Sequence, residues 1–174
     1  MGHALFRAVD REMMARCIEL SRAAASEGEF PFASLVTFND TIIAEATNQV
    51  ARDSDITRHA ELLAVSKSQK VLGRSKLNGC TLYTNVEPCP MCSFPIREAR
   101  IRRVVFSLKS PLMGGFSRWD LLKDNRISDV MPEAFGQPPE VLGGVLAEDA
   151  EAVWASWNPL VWKVIRHRGL FCVT

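Results

Sequence analysis

Apolar positions near the start of the chain recur at helical spacing: Met13, Cys17, Leu20 and Ala24 follow one another at intervals of three and four within Asp10 to Ala25, and Gly28 stands beyond them. That period predicts an amphipathic helix with a glycine stop. The pattern then changes. Phe32 to Phe38 and Thr41 to Asn48 are rich in β-branched and aromatic residues and are separated by Asn39-Asp40, a pair suited to a tight turn, so they predict a hairpin. Helical character returns from Arg58 to Leu72, with Leu62, Leu63, Ala64 and Val65 as apolar positions and Gly73 as its end. Cys80 to Asn85 predicts a strand, Pro90 to Arg100 a helix, and Arg103 to Ser107 another strand.

The last third is less regular. Pro111, Gly114 and Gly115 mark a loop, Trp119 to Asp124 predicts a short helix, and the proline-rich stretch from Met131 to Pro139 predicts a second loop. Val141 to Leu146 predicts an edge strand interrupted by Gly143-Gly144. Glu148 to Trp157 predicts a helix with acidic residues in its first turn, where the macrodipole favours them. Strands alternating with helices after the hairpin imply a largely parallel sheet covered on both faces.

Composition narrows the class. The chain has 174 residues, 47% of them hydrophobic and 24% charged, with no repeat and no Gly/Ser linker, which predicts one globular domain. Lys and Arg number 21 against 20 Asp and Glu, so a formal charge of +1 argues against a DNA-coating protein or a polybasic membrane binder. Two basic clusters, Arg97/Arg100/Arg102/Arg103 and Lys163/Arg166/His167/Arg168, read first as solvated faces, with a nucleic-acid groove as the second reading. No stretch approaches the roughly 18–20 apolar residues of a membrane span. Met1 to Val9 has no signal-like apolar core, and the odd count of 5 cysteines does not suggest a disulfide scaffold. A reducing, cytoplasmic setting is expected, with the cysteines as packing or as metal ligands.

One constellation carries chemistry: His59-Ala60-Glu61, followed about thirty residues later by Pro88-Cys89-Pro90-Met91-Cys92. Cys89 and Cys92 lie three apart at the start of a predicted helix, on one face of it. With His59 they supply three of zinc's four tetrahedral ligands and leave one position open, which marks a catalytic site. Two thiolates neutralise Zn²⁺, and such a zinc brings the pKa of its water toward about 7. Glu61 is then placed to move protons. A Cys-x-x-Cys redox pair would not need the upstream His-x-Glu. A closed structural zinc would need a fourth ligand, and His3, His167, Cys17, Cys80 and Cys172 show no paired spacing.

His-x-Glu followed by Pro-Cys-x-x-Cys is the signature of zinc nucleobase deaminases. From about residue 10 to residue 157 the chain resembles the cytidine/deoxycytidylate deaminase superfamily, and within it the guanine deaminase and transfer-RNA adenosine deaminase branch. The matching runs are Pro31-Phe32-Ala33, Thr47-Asn48-Gln49, His59-Ala60-Glu61-Leu62, Thr81-Leu82-Tyr83-Thr84 and Glu87-Pro88-Cys89-Pro90-Met91-Cys92, with looser matches at Arg103 to Phe106 and Gly144 to Ala147. The resemblance implies a three-layer α/β/α sandwich with a five-stranded mixed sheet. It implies His59, Cys89 and Cys92 as zinc ligands and Glu61 as proton shuttle. Substrate contacts are expected at Asn48, Ala60, Phe30 and Pro88, with the backbone N–H groups of Ala60 and Cys89 toward the substrate or the attacking oxygen, and a homodimer is expected. The implied reaction is hydrolytic deamination of a small aminated heterocycle, a base or nucleoside, with guanine first. The alternatives are deamination of adenosine in transfer RNA and a silent, zinc-stabilised interaction module.

The chain also departs from the pattern. Ser93-Phe94-Pro95-Ile96 follows Cys92 where small residues are usual, and Pro95 predicts a kink or a late helix start. Ser110 to Phe116 lacks the Lys-Thr-Gly run of the transfer-RNA enzymes. Residues 158–174 form an extension beyond the catalytic domain of residues 1–157. Trp157 to Phe171 within it reads either as a lid or dimer contact, or as aromatics packing on the core, alongside Trp154.

Overall fold

The computed structural model describes residues 5–173, and in it the first helical run forms α1 (Ala8–Ser26). Asp10 accepts the Arg7 backbone N–H at 2.7 Å and closes the first turn. Met13, Met14, Cys17, Ile18, Ser21 and Ala24 form the buried seam. The hairpin is β1 (Ala33–Phe38) and β2 (Thr41–Thr47). Its turn residues Asn39 and Asp40 have φ of 50° and 59°, the left-handed region that such a turn requires and that these two residue types tolerate.

β3 (Cys80–Val86) pairs antiparallel with β1 and parallel with β4 (Arg103–Leu108), which pairs parallel with β5 (Glu140–Leu142). The strand order is β2-β1-β3-β4-β5. Every residue of β3 and β4 is buried, as central strands covered on both faces must be. Successive strand residues point to opposite faces, and the two cores divide accordingly. Leu35, Tyr83 and Val105 pack with α1, α6 (Ala147–Trp157) and α7 (Pro159–His167). Val36, Leu82 and Val104 pack with α3 (Ala60–Leu72) and α4 (Pro90–Glu98). The fold is a three-layer α/β/α sandwich around a five-stranded mixed sheet.

Several local expectations are corrected. The sheet is half parallel, because β1 sits between β2 and β3 and pairs antiparallel with both. Trp119 to Asp124 forms turns: Asp120 takes a φ of 57°, which breaks a right-handed helix, and the next helix is the short α5 (Arg126–Val130). The edge strand stops at Leu142. A Cβ at Gly143 would come within 2.7 Å of the Phe106 ring, and Gly144 and Leu146 at φ 85° and 51° turn the chain into α6. Three helices had no counterpart in the expected elements: α2 (Val50–Asp53), α5 and α7. Asn158 caps α7 by accepting the Val161 N–H at 3.1 Å, with Pro159 in the first turn. The late helix start does not occur, since α4 begins at Pro90 and continues through Pro95.

The first basic cluster is not a solvated face. Arg97 is buried and donates to Leu121 O, Asp124 O, Ser128 Oγ and Gly136 O. Arg103 is buried and bridges Asp10 at 2.8 Å, beside the Tyr83 hydroxyl, which donates to the same carboxylate at 2.9 Å. Arg100 donates to the carbonyls of Pro132 and Glu133, and Arg102 is exposed. Lys163, Arg166, His167 and Arg168 are exposed, as expected.

Candidate active site

Two helix N-termini meet at the C-terminal edge of the parallel strands. His59 is the N-cap of α3, and Cys89, three residues past the end of β3, is the N-cap of α4 with Pro90 at the first helical position. The helices therefore project His59 Nδ1, Cys89 Sγ and Cys92 Sγ into one triangle. Its sides are 3.6 Å between the sulfurs, 3.6 Å from Cys89 Sγ to Nδ1 and 3.5 Å from Cys92 Sγ to Nδ1. With zinc bonds of about 2.3 Å to sulfur and about 2.0–2.1 Å to nitrogen, tetrahedral ligands lie about 3.8 Å apart for two sulfurs and about 3.6 Å for sulfur and nitrogen. The triangle fits one face of that tetrahedron, and among the described residues these three form a group able to hold a metal ion. All five cysteines are free thiols.

The electrostatics make one of the two sulfurs a ready thiolate. The hydrogen bond from the Cys92 thiol, then that from His59, pulls Cys89 down to about 4, while Cys92 is pushed well above its ordinary value. Glu61, in the first turn of α3, is buried. Its burial and the neighbouring negative charge of Cys89 raise its carboxyl to about 7, the range of a group that exchanges protons at neutral pH.

Above this floor lies a cavity of about 90 Å³, whose lining includes Asn48, Glu61, Phe32, Ser110, Met113 and Phe171. Asn48 is fixed from behind: its Nδ2 donates at 2.8 Å to the buried carboxylate of Glu29. Glu87, beside the Pro-Cys run, is also buried. It accepts the N–H groups of Ser110, Phe116 and Ser117 at 2.9, 3.0 and 2.6 Å and the Ser117 hydroxyl at 2.7 Å, so the wall carrying Ser110 and Met113 is wrapped around one carboxylate. Phe171 arrives from the chain's end. Lys109 and Cys172 exchange two backbone hydrogen bonds of 3.0 Å, Ser110 Oγ donates to Leu170 O at 3.1 Å, and the Phe171 ring lies edge-on to Phe32 and Trp154.

Of the expected site residues, His59, Glu61, Cys89 and Asn48 line the cavity, and Cys92 completes the triangle beneath it. Ala60 and Pro88 are buried in the adjoining backbone, where Pro88 O accepts the Gly115 N–H at 2.8 Å. Phe30 lies outside the lining: it is half exposed, its ring 4.9 Å from that of Trp157, and Phe32 takes the place in the wall. Phe94 is also absent from the lining and meets the Phe135 ring edge-on, with centroids 4.9 Å apart. Glu29, Glu87, Ser110, Met113 and Phe171 were not expected as site residues. Glu87 adjoins Pro88-Cys89, Ser110 and Met113 lie in the loop that departs from the family pattern, and Phe171 ends the stretch read as a lid or as core packing; Glu29 stood near no signal.

Residues 7–108 match the family model of the cytidine and deoxycytidylate deaminase zinc-binding region. The chain belongs to this family. Among its relatives, the tRNA-specific adenosine deaminase of Bacillus subtilis is 34% identical over 142 residues, covering 80% of this chain and 83% of that protein. The guanine deaminase of the same species is 44% identical over 77 residues, 44% of this chain and 49% of that protein. The tRNA(Ile)-lysidine synthase of Deinococcus deserti is 38% identical over 141 residues, 80% of this chain, but the match spans only 25% of that larger protein. In fold, a solved structure of tRNA:A34 deaminases that edit A to I at the wobble position superposes with a TM-score of 0.72 at 26% identity, covering 82% of this chain and 98% of that one. The family is zinc-binding, and the His-Cys-Cys triangle supplies donors of that kind. No helix among the described residues is long and apolar enough to cross a membrane.

Proposed function

We propose that the protein hydrolytically deaminates a small aminated heterocycle, a free base or nucleoside, with guanine the first candidate. The observation that carries this reading is the buried Glu61 carboxyl beside the His59/Cys89/Cys92 triangle, at the floor of a small cavity. His59, Cys89 and Cys92 would hold zinc, which when bound acts as a Lewis acid that makes water a nucleophile at neutral pH. Glu61 takes a proton from the attacking water as its oxygen adds to the amidine carbon, and passes that proton to the ring nitrogen. It then takes the remaining proton from the added hydroxyl and delivers it to the amino group; the C–N bond breaks, ammonia leaves and a carbonyl remains. Asn48 holds the ring, while Phe32, Met113 and Phe171 exclude water from the apolar side.

The size of the cavity and its closure by the chain's own terminal segment support a free base over a polynucleotide. So does the burial of Arg97 and Arg103, which removes both from any phosphate-binding surface. A second reading, deamination of adenosine in transfer RNA, is supported by the 34% identity across most of the Bacillus subtilis tRNA-specific adenosine deaminase. Pairing of two copies belongs to either reading, with the half-exposed Phe94 of α4 as apolar surface beside the site. Ammonia release from purine and pyrimidine bases and nucleosides, set against inosine formation in an anticodon stem-loop, separates the two substrates. Turnover of bases with none of the stem-loop is the expected result; the reverse would replace the first reading by the second.

A further inference from the structure

Glu29 receives only N–H donors. Its Oε2 accepts from Asn48 Nδ2 at 2.8 Å and from the Ala51 backbone at 3.2 Å, and its Oε1 accepts from the Arg52 backbone at 2.6 Å. The carboxylate is buried, and among the described residues no cationic side chain bonds to it. A carboxylate can only accept, so the amide of Asn48 must turn its NH₂ toward Glu29. Its carbonyl, Oδ1, is then the other end of the amide, and it has no partner among the described residues. The backbone of Asn48 is itself pinned, its N–H donating to Phe32 O at 2.9 Å. The amide therefore has one orientation available to it.

We propose that Glu29 is a specificity-determining positioning residue: it forces Asn48 to offer the cavity an acceptor, so that the substrate edge opposite Asn48 carries an N–H donor. The inference rests on the deaminase reading above and goes beyond it by naming the hydrogen-bond polarity the substrate must have. Heterocycles with a lactam or azole N–H on that edge fit, and those with only a bare ring nitrogen there do not. Such a site rejects a mismatched analogue strongly, because its buried polar group is left unpaired.

Substituting Glu29 by Gln changes this logic. One glutamine oxygen cannot serve donors on both sides, so its NH₂ must face either the Arg52 N–H, bonded at 2.6 Å, or the side shared by the Asn48 amide and the more distant Ala51 N–H at 3.2 Å. The oxygen stays with the shorter Arg52 bond, and on the other side the Asn48 amide turns over and shows its NH₂ to the substrate. Substituting Asn48 by Asp in the native chain sets two carboxylates face to face. In the double variant the glutamine NH₂ donates to one oxygen of the aspartate at position 48, and the second oxygen again faces the cavity, which restores the acceptor.

The test is a double-variant cycle on the zinc-loaded protein, with the base turned over fastest by the wild type, and with metal content and thermal melting checked for each variant. Glu29→Gln is expected to raise KM by about tenfold or more with a smaller change in kcat, the scale of one misdirected hydrogen bond. Asn48→Asp is expected to cost more, and the pair together to return to within about threefold of wild type. In parallel, the Asn48 side-chain amide protons of the unliganded protein are followed by NMR. One is expected downfield and slow to exchange in the wild type, and neither in Glu29→Gln. A folded double variant no better than its worse single parent, or amide signals unchanged in Glu29→Gln, overturns the proposal. If the wild type turns over no base at all, the free-base reading and the substrate half of this inference fail together, while the amide signals still decide whether Glu29 orients Asn48.

Discussion

A Cβ placed on Gly114 would overlap the carboxylate of Glu87, so the loop from Ser110 to Ser117 can wrap that buried carboxylate only because position 114 has no side chain. Gly114→Ala therefore pushes the cavity wall outward or displaces Glu87. Overpacking of this kind costs about 1–3 kcal/mol. Chemical denaturation measures the loss, and limited proteolysis within 110–117 should accelerate while zinc content is unchanged. Wild-type resistance to cleavage would count against this role for the loop.

Arg97 bonds to four oxygens of the segment between Leu121 and Gly136, three of them backbone carbonyls. A lysine cannot span that set with one ammonium group. Arg97→Lys is expected to lose about 2–4 kcal/mol of stability, as for a buried hydrogen-bonded network left partly unsatisfied. Amide hydrogen exchange should report local opening of 121–136 before global unfolding. Wild-type exchange there would remove Arg97 as the tie.

Burial pushes the Asp10 carboxyl up, but hydrogen bonds from Arg103, the Arg7 backbone and Tyr83 outweigh it and hold the group below its ordinary 3.8. A depressed folded-state pKa stabilises the protein above the unfolded value, and that stability is lost as pH falls through the folded one. Denaturation midpoints from pH 7 down to pH 2 should therefore drop more steeply in the wild type than in Asp10→Asn. At pH 7 the variant should be about 3–5 kcal/mol less stable, because Arg103 is left without its partner. Parallel pH profiles would show that another group sets the acid limb.

How much of this was legible in the sequence depended on whether a role was local. His59, Glu61, Cys89 and Cys92 could be read directly, because a metal site demands particular residue types and helix starts repeat at fixed spacing. The hairpin turn at Asn39-Asp40 and the buried seam of α1 were legible for the same reason. Glu29 was not: it acts through Asn48, and nothing in the spacing says that the two meet. Arg97 and Arg103 were misplaced on a solvated face because the oxygens that bury them come from distant loops and from α1. Phe171 reaches the cavity because its neighbour Cys172 pairs with Lys109, a long-range contact no local period announces. The helix α7 that Asn158 and Pro159 open was not read at all, because its stretch was taken as an extension defined by its aromatics.

Phe171 tests the free-base reading from the opposite wall. Phe171→Ala removes a buried ring that packs on Phe32 and Trp154, at a cost of about 3–5 kcal/mol. In the folded variant KM for a free base should rise more than kcat falls, since the lost contact holds the substrate. Removing residues 158–174 should have at least the same effect. Unchanged KM in both, with the proteins still folded, would make the terminal segment structural only.

The most direct test of the central claim is ammonia release by wild type and Glu61→Gln, each with zinc content measured on the same preparation. The amide keeps the size of Glu61 and leaves His59, Cys89 and Cys92 intact, but it cannot carry a proton between water and the ring. The account predicts about one zinc per chain in both proteins, as three intact ligands allow, and turnover in the wild type alone. Glu61→Gln that holds zinc and still releases ammonia at a rate near that of the wild type would contradict it.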